Sequence, residues 1–321
     1  MSGLRLDDVR FAGVGLNRPE CVLCTARGDV FTADWRGGVA HIHPDGTQTF
    51  YGGFAPGGRQ MRPNGIALRA DGSFLFADLG ESAGGLFHLR RDGDVRPLLE
   101  TVEGIDLPPS NFVLEDAHGR IWLTVSTRLQ PRSLAYRADV ADGFIVLLDH
   151  RGARVVADGL GYTNEVAIDA SGRWLYVNET FARKLSRFRI EADASLGAKE
   201  VVTGFGAGTF PDGLTMDAEG GAWITSIVSN RVIRVTPDGA QALVLEDADI
   251  AHLEWVEEAY RAGALGRRHL DIIKSTRLRN ISSLAFGGPD LRTAYLGCLL
   301  GDSLACFSSP VAGLAPAHWR Y

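Results

Sequence analysis

Tyr162-Thr-Asn164-Glu-Val-Ala-Ile-Asp-Ala-Ser-Gly172-Arg-Trp-Leu-Tyr-Val-Asn178 is the stretch that decides the architecture of this chain. An apolar run leads into a polar turn ending on glycine, and a second apolar run follows, which reads as strand, tight turn, strand. The same cadence recurs around Glu20, Asn64, Asn111 and Asp212. Each unit opens on a polar residue, and a glycine follows eight positions later, at Gly28, Gly72, Gly119, Gly172 and Gly220. The second run ends six positions after the glycine, at Asp34, Asp78, Val125, Asn178 and Ser226. A looser sixth copy, Ser282-Ser-Leu-Ala-Phe-Gly-Gly-Pro-Asp290-Leu-Arg-Thr-Ala-Tyr-Leu-Gly297, has Asp290 in the glycine position. Successive openers lie 44, 47, 53, 48 and 70 residues apart.

Second hairpins follow several of these units. Gly38-Val-Ala-His-Ile-His-Pro-Asp-Gly46 and Arg231-Val-Ile-Arg-Val-Thr-Pro-Asp-Gly239 both place Asp-Gly between apolar runs, a strong hairpin signal. Four strands in about 45 residues is the cadence of a propeller blade, and six copies predict an all-β, six-bladed β-propeller. The whole chain, 1–321, reads as one such domain, with an insertion at 248–280 between blades five and six. Ring closure falls to the segment around Val9–Val14 or to the C-terminal stretch Val311–Tyr321, and the sequence does not choose between them.

Composition narrows the classes of function. The chain of 321 residues has 33 Lys+Arg against 39 Asp+Glu, a net charge of −6. No basic run would displace phosphate counterions, so nucleic acid is not an expected partner. No apolar stretch is long enough for a membrane helix. Met1–Asp8 has no apolar core followed by a small-residue cleavage site, so a cytoplasmic location is expected. The four cysteines, Cys21, Cys24, Cys298 and Cys306, fit reduced thiols in a chain of this length. A small-molecule substrate is the expected partner, and the oligomeric state is left open.

The repeat also decides which residues meet. Inner strands of a propeller start near the central axis, so Glu20, Asn64, Asn111, Asn164, Asp212 and Ser282 form a ring at one mouth of the channel. Asp34, Asp78, Asn178 with Glu179, and Ser226 return to the same face. Every opener carries a side-chain oxygen, and two are carboxylates, a set suited to a hard divalent cation. Asn, Asp and Ser also start strands simply as turn formers. Glu20 does not fit that account, because a carboxylate facing the core is costly unless paired or bound to metal.

Two excursions interrupt the spacing on this face. The loop Ser126–Gly143 carries Arg128, Arg132, Tyr136 and Arg137. In Ala248–Asn280, Leu253, Val256 and Tyr260 recur at helical spacing, so a short amphipathic helix is expected within Ala251–Leu265. Loops of this length in a compact domain are often functional, which makes both candidate substrate walls.

At Phe210-Pro-Asp212-Gly-Leu, at the run from Asn164, and at Leu284-Ala-Phe-Gly-Gly-Pro-Asp290-Leu-Arg-Thr-Ala-Tyr-Leu, the chain resembles the SMP-30/gluconolactonase/LRE-like family of six-bladed propellers. The resemblance runs through nearly the whole chain. It implies a metal-dependent lactonase, a carboxylic ester hydrolase that opens a sugar lactone or related cyclic ester. It also implies one divalent cation held by Glu20, Asn164 and Asp212, with Asn111 as a further ligand or a substrate contact. Phe112 stands where the family usually has an acidic residue, and Glu165 where it usually has glycine. Asn64, Asp34, Trp35, Asn178 and Glu165 are the remaining candidates for substrate contact. Asp212 is the candidate general base, with a metal hydroxide as the alternative. Oxygen ligands put calcium first, with zinc, manganese, magnesium and iron open.

Other readings attach to particular residues. Cys21-Val-Leu-Cys24 has redox or zinc spacing but no second pair nearby, so buried structural thiols are expected. His41 and His43 share one strand face and are a weak metal candidate. Three other readings of the whole remain beside the lactonase: a strictosidine-synthase-like enzyme, another non-hydrolytic enzyme on this scaffold, or a binding propeller with a structural ion.

Overall fold

The computed structural model describes residues 4–55 and 57–321. Met1, Ser2 and Gly3, part of the segment considered above for a signal peptide, lie outside the described residues, as does Pro56.

Six four-stranded antiparallel sheets form the blades of a propeller. Blade four shows the plan: Thr163–Ile168 is innermost, followed outward by Trp174–Glu179, Lys184–Arg189 and Glu200–Gly204. The glycine of each regular unit supplies the turn between the first two strands. Gly28, Gly72, Gly119, Gly172 and Gly220 have φ of 88°, 84°, 70°, 68° and 84°, a left-handed conformation that side chains disfavour. In the sixth unit Gly288 and Leu291 take the positive φ values, 77° and 57°, which explains how Asp290 can occupy the usual glycine position.

Turn aspartates brace the blades. Trp122 Nε1 donates to Asp116 Oδ2 at 2.9 Å, and Trp223 Nε1 donates to Asp217 Oδ2 at 2.8 Å. Both tryptophans are fully buried, so each indole gains its partner while its ring fills the space between blades.

The N-terminal segment closes the ring. Arg10–Ala12 pairs antiparallel with Leu304–Cys306 as the outer strand of blade six. The C-terminal segment instead crosses the far face: Leu314 N donates to Met216 O at 2.9 Å, and Ala26 N donates to Trp319 O at 2.8 Å. Leu314–His318 thereby walls a cavity of about 350 Å³ around the far end of the channel.

The expected helix is present. Helix α1, Ile250–Arg261, is capped by Asp249, whose side chain accepts from His252 N. A second short helix, α2, spans Arg267–Leu270. Asp247 accepts from the backbone N–H groups of Thr276, Arg277 and Leu278, pinning the end of the insertion to its beginning. Among the described residues, no helix is long and apolar enough to cross a membrane.

Candidate metal and substrate site

The openers point into the channel because the inner strands bulge there. Register shifts fall between Pro63 and Ile66, Ser110 and Phe112, Thr163 and Val166, Pro211 and Leu214, and Ile281 and Leu284. Each interval contains one opener: Asn64, Asn111, Asn164, Asp212 or Ser282. A bulge removes a residue from the ladder and re-aims its side chain.

Adjacent blades are also tied together at this level. Asn64 Nδ2 donates to Asn111 O at 2.9 Å, and Ser282 Oγ donates to Glu20 O at 3.0 Å. Asn178 Nδ2 donates to the carbonyls of Asp212 and Gly213 at 3.1 and 2.9 Å. Asn164 Nδ2 donates to Thr180 Oγ1, which itself donates to Pro211 O. Gly213 is required by this proximity, since a Cβ there would lie 2.4 Å from Ser282 O.

The electrostatics point to a missing positive charge. Glu20, Glu165 and Asp212 are all buried. Arg18 Nε donates to Glu20 Oε2 at 3.0 Å and is the cation that partly offsets them. Burial, then Glu20 and Glu165, push the Asp212 carboxyl well above its usual range, against Arg18 and an Asn164 hydrogen bond. Burial likewise raises Glu165 to about 8, opposed by hydrogen bonds from Leu214 N and Ser283. Buried carboxylates in such excess are costly unless protonated or bound to a cation.

Unused acceptors reinforce that conclusion. Asn64 Oδ1, Asn111 Oδ1 and Asn178 Oδ1 are buried and lack hydrogen-bond partners. Orphaned carboxamide oxygens beside an excess of carboxylate suit a hard cation or the hydroxyls of a substrate. Glu20, Asn164 and Asp212, with Asn111, therefore fit a divalent ion.

One expectation needs correction. Asp34 is fully buried and its oxygens are already taken: Oδ1 accepts from Arg36 N and Nε, and Oδ2 from Asn17 N and Arg36 Nη2. It braces the entry to blade one and has no oxygen to offer a substrate. Asp78 is occupied similarly, by Arg59 Nη2 and Arg62 N. Trp35 has two arginines near its ring, Arg18 at 4.3 Å and Arg62 at 5.6 Å from the ring centre. Its ring supports the arginine that pairs with Glu20. Glu165 extends below the openers, where its Oε2 accepts from Leu214 N at 2.8 Å and joins blade four to blade five.

Both excursions border the mouth. Ala135 and Tyr136 of the blade-three loop pack with Tyr162, Phe181 and Phe210, and with Leu253, Val256, Leu265 and Leu270 of the insertion. Tyr162 and Phe210 each stand two residues before a candidate ligand. Tyr260 Oη donates to Phe181 O at 2.5 Å, fixing the far end of α1 to the same group. Sequence periodicity located these segments but offered no signal that Tyr162, Phe181 and Phe210 receive them.

The remaining candidates lie apart from the mouth. His41 Nε2 and Asp29 Oδ1 are 2.8 Å apart, and the ring of His41 stacks on Phe31 at 4.1 Å. His43 joins them, and the three offer ligand atoms within 4.8 Å of one another. The four cysteines are free, and Cys24 on the blade-one inner strand and Cys21 just before it are buried, as expected of structural thiols.

Comparisons with known proteins bear on the family and the fold. The SMP-30/Gluconolactonase/LRE-like region matches residues 60–246. A 6-deoxy-6-sulfogluconolactonase of Pseudomonas putida is 27% identical over 236 residues, 72% of this chain and 67% of that protein. A pentonolactonase of Haloferax volcanii is 26% identical over 243 residues, 74% of this chain and 67% of its own. The structure of a gluconolactonase from Xanthomonas campestris superposes with a TM-score of 0.68 at 18% identity, covering 95% of this chain and 91% of that one.

Proposed function

The chain belongs to the SMP-30/gluconolactonase/LRE-like family, and from that premise we propose that it is a metal-dependent lactonase. Its substrate class is a sugar lactone or a related cyclic ester, in keeping with the lactonase names of its relatives in Pseudomonas putida and Haloferax volcanii. The observation that carries the proposal is the Asp212 carboxylate, buried against Glu20 and Glu165 and only partly offset by Arg18.

Glu20, Asn164 and Asp212 would hold one divalent cation, with Asn111 Oδ1 beside them for the ion or for the substrate. When bound, the cation would polarise a lactone carbonyl and acidify a water. Calcium is first among the candidates because every donor is a hard oxygen, and manganese, magnesium, iron and zinc are the alternatives.

The chain's own groups supply the remaining chemistry. Asp212 takes a proton from the attacking water as its oxygen bonds to the carbonyl carbon. The ring C–O bond then breaks, and Asp212 returns the proton to the departing ring oxygen, leaving a hydroxy acid. Asn64 and Asn178 turn unpaired carboxamide oxygens towards substrate hydroxyls, and Asn111 does so where it is not a ligand. The aromatic wall of Tyr136, Tyr162 and Phe181 limits water at the mouth.

The test is acid release from aldonolactones and from simple γ- and δ-lactones, after chelation and with each metal restored. Lactonase activity lost on chelation and restored by one cation supports the proposal. Undiminished activity in the chelated protein sinks the metal role, and no turnover of any lactone sinks the lactonase.

A further inference from the structure

The loop Ser126–Gly143 carries three arginines, and the structure gives them different environments. Arg128 donates to both carboxylate oxygens of Asp158 at 2.8 Å, and Arg137 donates to both of Asp139 at 2.6 Å. Arg132 makes no hydrogen bond or ion pair with any described residue, although it is partly buried in the 3-10 turn Arg132–Ala135.

Ala135 and Tyr136, in and just after the same turn, pack into the aromatic cluster at the mouth, which brings Arg132 to it. The charged and polar groups that act on its guanidinium are Tyr162, Tyr136, Glu20 and Arg267. Tyr136 and Tyr162 are buried and meet edge to face at 5.5 Å. Both rings rest on Phe181, at 4.6 and 4.7 Å. Arg267, on α2, has its Nε 2.9 Å from Asp271 Oδ2, and Tyr136 is a second neighbour. Glu20 is already paired with Arg18, so it does not require Arg132 as a counter-ion. A partly buried guanidinium is thus left without a hydrogen-bonded anion beside a rigid aromatic wall, with Glu20 of the candidate metal site among the charges that act on it.

We propose that Arg132, backed by Arg267, forms a subsite for an anionic group on the substrate. The group is a carboxylate, phosphate or sulfonate carried by the lactone at the end remote from its carbonyl. This deepens the lactonase reading and rests on it. The planar fork of arginine can bind two oxygens of any of these anions, and the low-dielectric wall strengthens the contact. The insertion before blade six adds Arg267 as a second positive charge near Arg132, itself held by Asp271.

The experiment compares kcat/KM for gluconolactone and for its analogues bearing a carboxylate, a phosphate or a sulfonate at C6. At least one charged analogue should exceed the neutral lactone by about tenfold or more, as expected for a charge-assisted hydrogen bond. Arg132→Gln should reduce the charged-to-neutral ratio by about 10- to 100-fold, and Arg132→Lys should recover part of it. Which analogue is favoured separates the three anions. Calorimetric binding of gluconate and of the corresponding C6-charged acids reads the subsite independently of turnover. Arg132-dependent binding of a charged acid, with no lactone turned over, keeps the subsite and removes the lactonase. Turnover with the same charged-to-neutral ratio in wild type and Arg132→Gln overturns the subsite and leaves the lactonase standing.

Discussion

Leu214 donates its backbone N–H to Glu165 Oε2 at 2.8 Å, so a side chain of blade four completes the inner strand of blade five just beyond the Asp212 bulge. The contact gives a buried carboxyl, which burial makes easy to protonate, a structural partner beside Asp212 and Glu20. Glu165→Ala would orphan the Leu214 N–H and should cost about 1–3 kcal/mol in urea unfolding. Glu165→Gln keeps an acceptor and should stay within about 1 kcal/mol of wild type while weakening cation binding. Equal stability losses in the two variants would show that the hydrogen bond is not what the site requires.

Removal of Asp212 takes away both a ligand charge and the proposed base. Asp212→Ala should lower kcat by at least about a thousandfold. Glu20→Gln retains the shape of the side chain, so it should raise the cation concentration needed for half-maximal activity by about tenfold and be partly rescued by excess cation. Metal titrations of activity on the two variants distinguish the roles, and rescue of Asp212→Ala to wild-type turnover would contradict its assignment as base.

Asn64 holds the blade-three opener through its bond to Asn111 O. It is not among the candidate ligands and its Oδ1 is unpaired, so Asn64→Ala should leave the cation bound and raise KM several-fold, about 1 kcal/mol of lost binding. A fall in kcat with KM unchanged would place Asn64 in the reacting set instead.

Val256 is fully buried among Phe210, Phe181 and Tyr162 on the inner face of α1. Val256→Ala should cost about 2 kcal/mol of stability and also shift preference among lactones of different size, because the same contacts shape the mouth. Deletion of the whole helix would cost stability as well as selectivity, since its apolar face is part of the packed cluster. Unaltered preference in a destabilised Val256→Ala protein would reduce the helix to a structural cover.

Burial pushes His318 down to about 4, against a hydrogen bond to the Cys24 backbone. Its Nε2 is buried without a partner at the far end of the channel. Below about pH 6.5 the unfolded chain takes up a proton that the folded chain refuses, so stability should fall as the pH drops towards 4. The full effect of this one residue is about 3 kcal/mol. His318→Asn should flatten that part of the pH–stability curve, and an unchanged slope between pH 6.5 and 4 would show that His318 is not its source.

The sequence by itself determined the ring and its contents. Spacing of eight residues from opener to glycine is a local demand, because the turn needs a positive φ at one position, and five units meet it with glycine. Repetition then dictates that Glu20, Asn64, Asn111, Asn164, Asp212 and Ser282 share one end of the channel. How those residues are used depends on contacts that exist only in the folded chain. Closure by Arg10–Ala12 depends on pairing with a strand nearly three hundred residues later. Asp34 is the clearest case: its position in the repeat suggested a substrate ligand, but Arg36 and the backbone of Asn17 and Arg36 occupy its oxygens. The three arginines of the blade-three loop are alike in sequence, and only the positions of Asp158 and Asp139 single out Arg132 as unpaired. A repeat can place a residue on a face of the fold, but whether a charged neighbour, two residues away or thirty, actually pairs with it is settled only by the folded backbone, and that pairing determines whether its charge remains available to a ligand.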